Sequence, residues 1–555
     1  MMLRLKNGRI YDPAHGVDGE VRDLYIEDGR IVAAPGPDAR IDRDIDLAGR
    51  VVMGGAIDLH THIGGGKLNI ARALLPEDHR QDPLPTSGGM HAGCGHAAPS
   101  TWTTGYRYAE MGYTACFEPA MQPTNARHTH LEMGDTPMVD KGAYAMLGSD
   151  DFFLRMLASG ADQRLINDYV GWTLDASQAM AIKVVNPGGI SAFKFNARSL
   201  DLDEAHPYYR VTPRQVVQAL ARAVHDLGVA HPLHVHASNL GVPGNADTTL
   251  ATMAAAEGLP IHLTHIQFHS YGTEGERKFS SEAERIADAI NRMRNVSADV
   301  GQVLFGQTVT VSGDSMKQYG NHRHASPDKW VVMDIECDAG CGVVPFKYRD
   351  KNFVNALQWA IGLELFLRVN DPWRIFLTTD HPNGAPFTSY PHLIRLLMDK
   401  RFRDSKLDEI NAEAAAHSQL RSLDREYSLY EIAIMTRAAP ARSLGLTDRG
   451  HLGEGAAADI VVYRDDADRE AMFAQPEYVF KDGQLIVRDG KVVNVVNGAL
   501  HVVKPEYDKG IEKPLKDYFD RYMTVRMENV RISDDEICTC GASKLIPHVC
   551  KGRAA

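Results

Sequence analysis

The sequence has little of three features that would each point to a particular class of protein. Its 555 residues include only seven cysteines, which fits reduced thiols better than a disulfide framework. No apolar run approaches the roughly 18 residues of a membrane-spanning helix. The first residues, MMLRLKNGRIYD, lack the long apolar core of a signal peptide. These absences predict a cytoplasmic protein without a membrane anchor.

The sequence also has no excess of positive charge. Its 60 lysines and arginines stand against 72 acidic residues, for a net charge of −12, which argues against nucleic acid as the main partner. With 44% hydrophobic and 24% charged residues, the composition is that of a globular protein. The length allows several domains, or one large barrel with additions.

The two ends of the chain share a strand pattern. Residues 2–50 alternate apolar and polar positions around Asn-Gly and Asp-Gly, in LRLKNGRIYD and LYIEDGRIVA, and each segment predicts a β-hairpin. The pattern returns in IVVYRDD at 460–466 and in QLIVRDGKVVNVV at 484–496. We therefore predict a β-sandwich built from residues 1–55 and 441–504, with the central region inserted between them.

The centre of the chain, 56–440, alternates short apolar strands with amphipathic helices. Helices are predicted at Pro213–Leu227 and Glu282–Arg294, and Thr212 can cap the first of them. Such alternation predicts an α/β fold, with a (β/α)8 barrel as the leading candidate. The clearest strands are AIKVVNP (181–187), PLHVHAS (232–238), PIHLTHI (260–266) and WRIFLTTD (373–380).

The segment VVMGGAIDLHTH, residues 51–62, carries the first chemical signal. A short buried strand ends in His60 and His62, whose side chains share one face because strand residues alternate. Neutral imidazole is a common zinc ligand, so the pair predicts a metal site. The alternative is a pair of surface histidines beside a glycine-rich loop.

Four further strands end in groups that can bind a metal. In a (β/α)8 barrel the carboxyl ends of all strands meet at one mouth, so distant residues can join one zinc site. A carboxylate there can also take a proton from metal-bound water. The alternatives are a hydrogen-bonded core histidine, a surface lysine, a loop aspartate, or a shifted register that presents His234 and His262 instead. The candidates are Lys183, His236, His265 and Asp380.

These segments resemble the amidohydrolase superfamily. GGAIDLHTH is similar to its first-strand metal motif, LHVHASN and HLTHI to its later histidine strands, and LTTDHP to its last-strand aspartate. HIGGGKLNIARALLPEDHR, AIKVVNPGG and ECDAGCGVVPF resemble, more narrowly, the A component of formylmethanofuran dehydrogenase and of the formyltransferase/hydrolase complex. The resemblance implies a metal-dependent hydrolase barrel.

The resemblance also implies a ligand set. Two zinc ions would be bridged by an N6-carboxylysine, and Asp380 would act as the catalytic base. Lys183 is the favoured lysine, because NPGG resembles a loop after the strand, and Lys194 in SAFKFN is the alternative. Spacing does not indicate which residues bind the furan cofactor. The implied metal ligands are His60, His62, Lys183, His236, His265 and Asp380.

The activity implied by the resemblance is reversible hydrolysis of N-formylmethanofuran to formate and methanofuran, within a multi-subunit complex of one-carbon metabolism. One alternative is the A component of a methanogen-type tungsten or molybdenum dehydrogenase. Others are a solitary hydantoinase-like amidohydrolase and a scaffold protein of the complex without a working metal site.

The tail, 505–555, ends in ICTCGASKLIPHVC. Thiolate and imidazole ligands suit a structural zinc, so Cys538, Cys540, His548 and Cys550 are candidates. The alternative is a tail with unpaired thiols that contacts another protein of the complex. Cys337 and Cys341, in CDAGC, are expected to be structural.

Overall fold

The computed structural model describes residues 1–80, 83–84, 89–190, 192, 200–311, 333–335, 341–539 and 544–550. For residues 67, 333–335, 341–345 and 538–539 it describes the backbone alone.

Eight parallel strands form the central sheet, each paired in chain order with the next. The carboxyl ends of the first and eighth strands meet, since Thr61 bridges to His381 and the His62 backbone N–H donates to the His381 carbonyl at 2.8 Å. The α/β fold and the barrel predicted from the sequence are therefore confirmed. The strands are Ala56–Asp58, Tyr113–Met121, Asp140–Met146, Ala181–Val185, Leu233–His236, Ile261–Leu263, Val296–Asp299 and Ile375–Phe376.

Helices pack against this barrel and bury its outer face. The helix Pro213–Asp226 begins as predicted, with Thr212 and Gln215 forming a reciprocal cap over the first turn. The described α-helices are Gly66–Leu74, Thr101–Glu110, Ala126–Gly134, Asp151–Ala158, Gln163–Ala176, Pro213–Asp226, Ala246–Ala255, Ala283–Arg292, Phe353–Arg368, Tyr390–Met398, Lys400–Glu409, Ala412–His417, Leu429–Ala433, Ala439–Leu444, Arg469–Ala474, Glu512–Tyr522 and Asp534–Thr539.

A second sheet joins the two ends of the chain. Arg50–Gly54 pairs antiparallel with Ile460–Arg464, so strands from both ends share one ladder, as predicted. Leucine, isoleucine and valine side chains from both ends form the apolar core under this sheet. Its strands are Leu3–Asp12, Val17–Glu27, Arg30–Val32, Arg43–Asp46, Arg50–Gly54, Ile460–Arg464, Tyr478–Lys481, Gln484–Arg488 and Lys491–Val492.

The first predicted hairpin is wrong. Leu3–Asp12 is one continuous strand, and its pairing shifts register between Leu5 and Gly8. Asn7 has φ of 61°, the left-handed conformation that Asn adopts more readily than most residues. Asn-Gly therefore makes a β-bulge here. The Asp-Gly turn is correct, since Glu27 pairs with Arg30 across it.

The C-terminal tail contacts the barrel. Leu500–Lys504 pairs parallel with Leu545–Val549, and Leu500 pairs with Lys141 of the third barrel strand. The predicted division into 1–55 with 441–504, 56–440 and 505–555 stays a prediction. Three short sheet pairings complete the described strands: Tyr271–Gly272 with Ser280–Ser281, and Cys341–Tyr348 with Gly306–Thr310 and Met333–Ile335. Across the described ranges, no helix combines the length and apolarity needed to cross a membrane.

Candidate metal centre

The first barrel strand delivers two buried histidines to the mouth of the barrel. The backbone N–H of His60 donates to Asp58 at 3.1 Å, which fixes the chain just before the His60-Thr61-His62 segment. Burial raises the pKa of Asp58 to about 7, although hydroxyl groups of Tyr390 and Tyr108 donate to it. His60 and His62 are both at most 5% exposed.

Asp380 lies between these two imidazoles. Its Oδ1 is 2.8 Å from His60 Nε2 and 3.4 Å from His62 Nε2. The contact between Asp380 Oδ1 and His60 Nε2 is close enough for an ion pair, but neither atom makes a hydrogen bond of regular geometry to the described residues. Burial raises the pKa of Asp380, but attraction to the His60 imidazole, whose own pKa is raised, holds the pKa of Asp380 well below its ordinary value. The carboxylate is therefore ionised.

A second group of imidazoles adjoins the first. Ligand atoms of His236, His265 and His269 lie within 4.8 Å of one another, and all three residues are buried. The rings of His60 and His265 are 5.5 Å apart, which links the two groups. Burial lowers the pKa of His265 and of His269 well below the ordinary value. Both are therefore neutral, which is the form that binds metal.

Lys183 faces these groups from the fourth barrel strand. It is 2% exposed, and its charge adds to burial in lowering the pKa of His265 and His269. For His60 the opposing charges of Asp299 and Asp380 prevail over burial and raise the pKa. It pairs in register with His234 of the fifth strand. A buried ammonium beside several imidazoles is unfavourable, and conversion to a carbamate would replace that positive charge with an anion.

Two of the mouth residues have strained backbones. His265 and Asp380 have φ of 36° and 51°, a conformation that costs an L-residue roughly 1–2 kcal/mol. Gly301 allows them to approach, because a Cβ at Gly301 would lie 2.4 Å from the Cβ of His265. The surrounding structure thus holds these two side chains at the mouth against a local cost, as is common at functional sites.

A second layer of histidines lies below the mouth. His231, His234 and His262 each use both ring nitrogens in hydrogen bonds. His234 Nε2 lies 2.9 Å from His60 Nδ1. Asp299 supports this layer: its Oδ2 is 3.1 Å from His262 Nε2 and 3.3 Å from His60 Nδ1. We call these three histidines and Asp299 the lower layer.

Glu118, from the second barrel strand, holds His62. Its Oε1 is 3.0 Å from His62 Nδ1, and its Oε2 accepts from the backbone N–H groups of Ile63 and Gly64. Burial raises the pKa of Glu118, but His62 and these hydrogen bonds lower it overall. The carboxylate therefore fixes Nδ1 of His62 and leaves Nε2 directed toward Asp380.

The structure brings five of the predicted residues into two adjoining groups and places Lys183 beside them. Sequence reasoning missed His269, Asp299 and Glu118. His269 lies four residues after His265 in a helical turn, and this spacing could have revealed it. The roles of the six predicted residues as metal ligands stay a prediction. Lys194, Cys337 and Cys540 lie outside the described residues, as do the side chains of Cys341 and Cys538.

The tail site also stays a prediction. His548 Nε2 lies 2.8 Å from His501 Nδ1, within hydrogen-bond distance. Burial raises the pKa of the Cys550 thiol to about 11, so this sulfur is a neutral thiol in the present arrangement.

The donor set at the mouth fits metal ions. His265 Nδ1 and both nitrogens of His269 are buried and lack a hydrogen-bond partner among the described residues, and beside them His60 Nε2 lies 2.8 Å from Asp380 Oδ1. Leaving several buried polar atoms unsatisfied costs free energy that ligation recovers. Imidazole and carboxylate ligands suit zinc. We use the name mouth group for His60, His62, Lys183, His236, His265, His269 and Asp380.

Comparison with known proteins agrees with this geometry. The amidohydrolase family model matches residues 43–493, a range that contains all eight barrel strands and most strands of the second sheet. The chain belongs to the amidohydrolase family. It is 46% identical to the A component of the formyltransferase/hydrolase complex Fhc of Methylorubrum extorquens, over 94% of this chain and 95% of that protein. It is 42% identical to protein FwdA of Methanocaldococcus jannaschii, over 96% of each.

A solved structure matches almost the whole amidohydrolase chain. The formyltransferase/hydrolase complex FhcABCD from Methylorubrum extorquens, in complex with methylofuran, contains a chain that superposes with a TM-score of 0.93. The two chains are 44% identical, and the match covers 99% of this chain and 100% of the other. The family and the narrower resemblance inferred from the sequence are both confirmed.

Proposed function

We propose that this chain is the A component of a formyltransferase/hydrolase complex and hydrolyses N-formylmethanofuran, reversibly, to formate and methanofuran. The observation that carries the proposal is the mouth group, in which buried imidazoles and a carboxylate converge and in which His265 Nδ1 and both nitrogens of His269 have no hydrogen-bond partner among the described residues. The near full-length similarity to the Fhc protein of Methylorubrum extorquens supports the choice of substrate and partners.

In this proposal the mouth group holds two zinc ions. His60, His62 and Asp380 would hold one, and His236 and His265 the other, with a carboxylated Lys183 as bridge. His269 adjoins the second set and is a further candidate ligand. Bound zinc would lower the pKa of a water molecule and polarise the formyl oxygen.

The chain's own groups would then manage the proton. Asp380 is ionised, so its carboxylate can accept a proton from the attacking water and return it to the departing amine nitrogen. The carbon–nitrogen bond breaks, and the formyl group leaves as formate. Glu118 keeps the His62 ring in place, and the lower layer supports His60 from beneath.

The test uses the native assembly. The chain is purified at its natural expression level with the proteins that accompany it, and formate release from a formylated furan amine is measured with zinc content. The proposal expects about two zinc ions per chain and metal-dependent formate release. Two zinc ions without formate release would overturn the substrate, and absence of zinc would overturn the hydrolase.

A second candidate is the A component of a methanogen-type formylmethanofuran dehydrogenase, which the 42% identity to FwdA favours. The identity of the accompanying proteins separates the two. A redox protein with tungsten or molybdenum supports the dehydrogenase, and a formyltransferase without such a metal supports the hydrolase.

A further inference from the structure

His269 is a buried histidine whose ring makes no hydrogen bond to the described part of the chain. The side chain is 1% exposed, and both ring nitrogens are buried without a hydrogen-bond partner among the described residues. Burial lowers the pKa of His269 well below its ordinary value, so the ring is neutral. Leaving both nitrogens of a buried ring unpaired costs free energy. The ring therefore indicates a partner that the polypeptide itself does not supply.

The backbone around His269 is held in place by side chains of a neighbouring segment. His269 ends the helical turn Ile266–His269, which follows the sixth barrel strand. Its carbonyl oxygen accepts from the Thr249 hydroxyl at 2.7 Å. Asn245 Nδ2 donates to the Phe268 carbonyl at 2.8 Å. These hydrogen bonds fix the turn, and the imidazole stays inside the barrel although it has no hydrogen bond of its own there.

His269 lies against the two histidines that the proposed function assigns to the second ion. Its ring centre is 5.3 Å from that of His265, and the two rings stack at 24°. It is also 5.3 Å from the ring centre of His236, at 75°. One ligand atom from each of the three residues lies within 4.8 Å of the other two. The three rings therefore form one cluster of possible ligands.

Three imidazoles make a complete set of protein ligands for a catalytic zinc ion. Such sites commonly have three protein ligands and keep a fourth position open. His236 and His265 supply two of the three, so without His269 the bridge from Lys183 would have to supply the third. With His269 the set is complete before the lysine contributes anything.

We propose that His269 is a ligand of the second ion, and that His236, His265 and His269 together hold this ion without the Lys183 bridge. The inference rests on the proposed function in one respect, which is that the mouth group holds metal ions. It goes further because it makes retention of the second ion independent of lysine carboxylation.

The first test removes the imidazole of His269 in the intact complex. His269→Phe keeps a flat ring beside His265 and removes two unpaired buried nitrogens, so the urea midpoint of the chelator-treated complex should not fall. Competition with a chelator should show one of the two zinc ions bound more than about 100-fold more weakly. Loss of an outer hydrogen-bond partner weakens binding about 10- to 100-fold, so a change of that size or smaller would overturn the inference.

The control for this test is another buried histidine. His130→Gln alters a ring that lies outside the mouth group, and it should leave zinc affinity unchanged. Cobalt(II) in place of zinc reports the ligands themselves. The visible absorption spectrum of the cobalt-loaded complex should change in His269→Phe and should be that of the native complex in His130→Gln. Identical spectra in His269→Phe and the native complex would contradict the assignment of His269 as a ligand.

The second test removes the bridge. Lys183→Met keeps a long side chain that cannot be carboxylated, and this variant should retain at least one zinc ion per chain. Adding His269→Phe to Lys183→Met should remove one further ion, whereas adding His130→Gln should remove none. Loss of both ions from Lys183→Met alone, or equal zinc content with and without the imidazole of His269, would overturn the inference.

Zinc content and formate release together separate this inference from the proposed function. If the three histidines retain zinc in Lys183→Met but the native complex releases no formate from a formylated furan amine, the proposed substrate fails and the ligand assignment stands. If the native complex holds two zinc ions and releases formate, but His269→Phe binds zinc as tightly as the native chain, the ligand assignment fails alone.

Discussion

The barrel contains two sets of buried histidines, those of the lower layer and those of the mouth group, which differ in how completely their ring nitrogens are hydrogen-bonded. In the lower layer, all ring nitrogens of His231, His234 and His262 are hydrogen-bonded. In the mouth group, His265 Nδ1 and both nitrogens of His269 have no such partner in the described structure. Burial lowers the pKa of His231 in the lower layer and of His265 in the mouth group.

The difference shows that burial alone does not make a histidine a metal ligand. A ring whose two nitrogens are already paired has no lone pair to offer, and its hydrogen bonds stabilise the fold. A neutral ring with an unpaired nitrogen near other such atoms can bind a cation. The following predictions test this distinction, beginning with the largest expected effect.

Asp380→Asn should leave zinc bound and abolish most activity. The amide keeps an oxygen at the same position, but it cannot accept the proton, so kcat should fall about 10²- to 10⁴-fold. Formate release and zinc content measured on the same sample check this. Asp424→Asn, at a carboxylate that is 91% exposed, is the control. Full activity of Asp380→Asn would remove Asp380 from the role of base.

His265→Ala and His231→Asn form a matched pair across the two layers. His265→Ala should lower zinc content from about two ions per chain toward one, because a ligand of one ion is removed. His231→Asn should keep both ions and lower the free energy of unfolding by about 1–3 kcal/mol, through lost hydrogen bonds. Elemental analysis and denaturant unfolding are the measurements. Zinc loss in His231→Asn but not in His265→Ala would contradict the assignment of metal binding to the mouth group.

Glu118→Gln should weaken the metal site without removing a ligand. Replacing the carboxylate that holds His62 Nδ1 should lower zinc affinity about 10- to 100-fold. Competition with a chelator measures this. Glu132→Gln is the comparison, because Glu132 accepts from the Gly65 backbone at 2.6 Å but does not contact His62. Equal zinc affinity in Glu118→Gln and the native chain would show that His62 needs no such support.

His130 tests the effect of burial outside both layers. Its Nε2 lies 2.8 Å from the Ser177 carbonyl, and burial lowers its pKa to about 4. Below about pH 6.5 the unfolded chain takes up a proton that the folded chain does not, so stability falls as pH falls. Between about pH 7.5 and 5.5 this residue should account for about 1 kcal/mol.

His130→Gln should remove that contribution and leave the zinc content unchanged. Denaturant unfolding at the two pH values, compared with the native chain, gives the difference. An identical pH dependence in variant and native chain would show that folding does not lower the pKa of His130.

Sequence reasoning predicted the barrel and the sheet of the chain ends because both follow from periodicity, which is local. It also predicted the mouth histidines, since His60, His236 and His265 end apolar strands. It failed at Asn7-Gly8, where the same dipeptide can make a turn or a bulge, and only the partner strand decides.

The missed residues depend on contacts that no local pattern contains. Asp299 acts through His60 and His262, which are 239 and 37 positions away by their numbering. Glu118 matters because the second strand places it against His62. His234 and His262 resemble their neighbours in sequence, and only their completed hydrogen bonds assign them to the lower layer.

Anomalous X-ray diffraction at the zinc edge, on crystals of the purified complex, tests the central claim most directly. The account predicts two adjacent peaks at the mouth, one between His60, His62 and Asp380 and one at His236 and His265, with none among His231, His234 and His262. A peak within the lower layer, or no peak at the mouth, would contradict it.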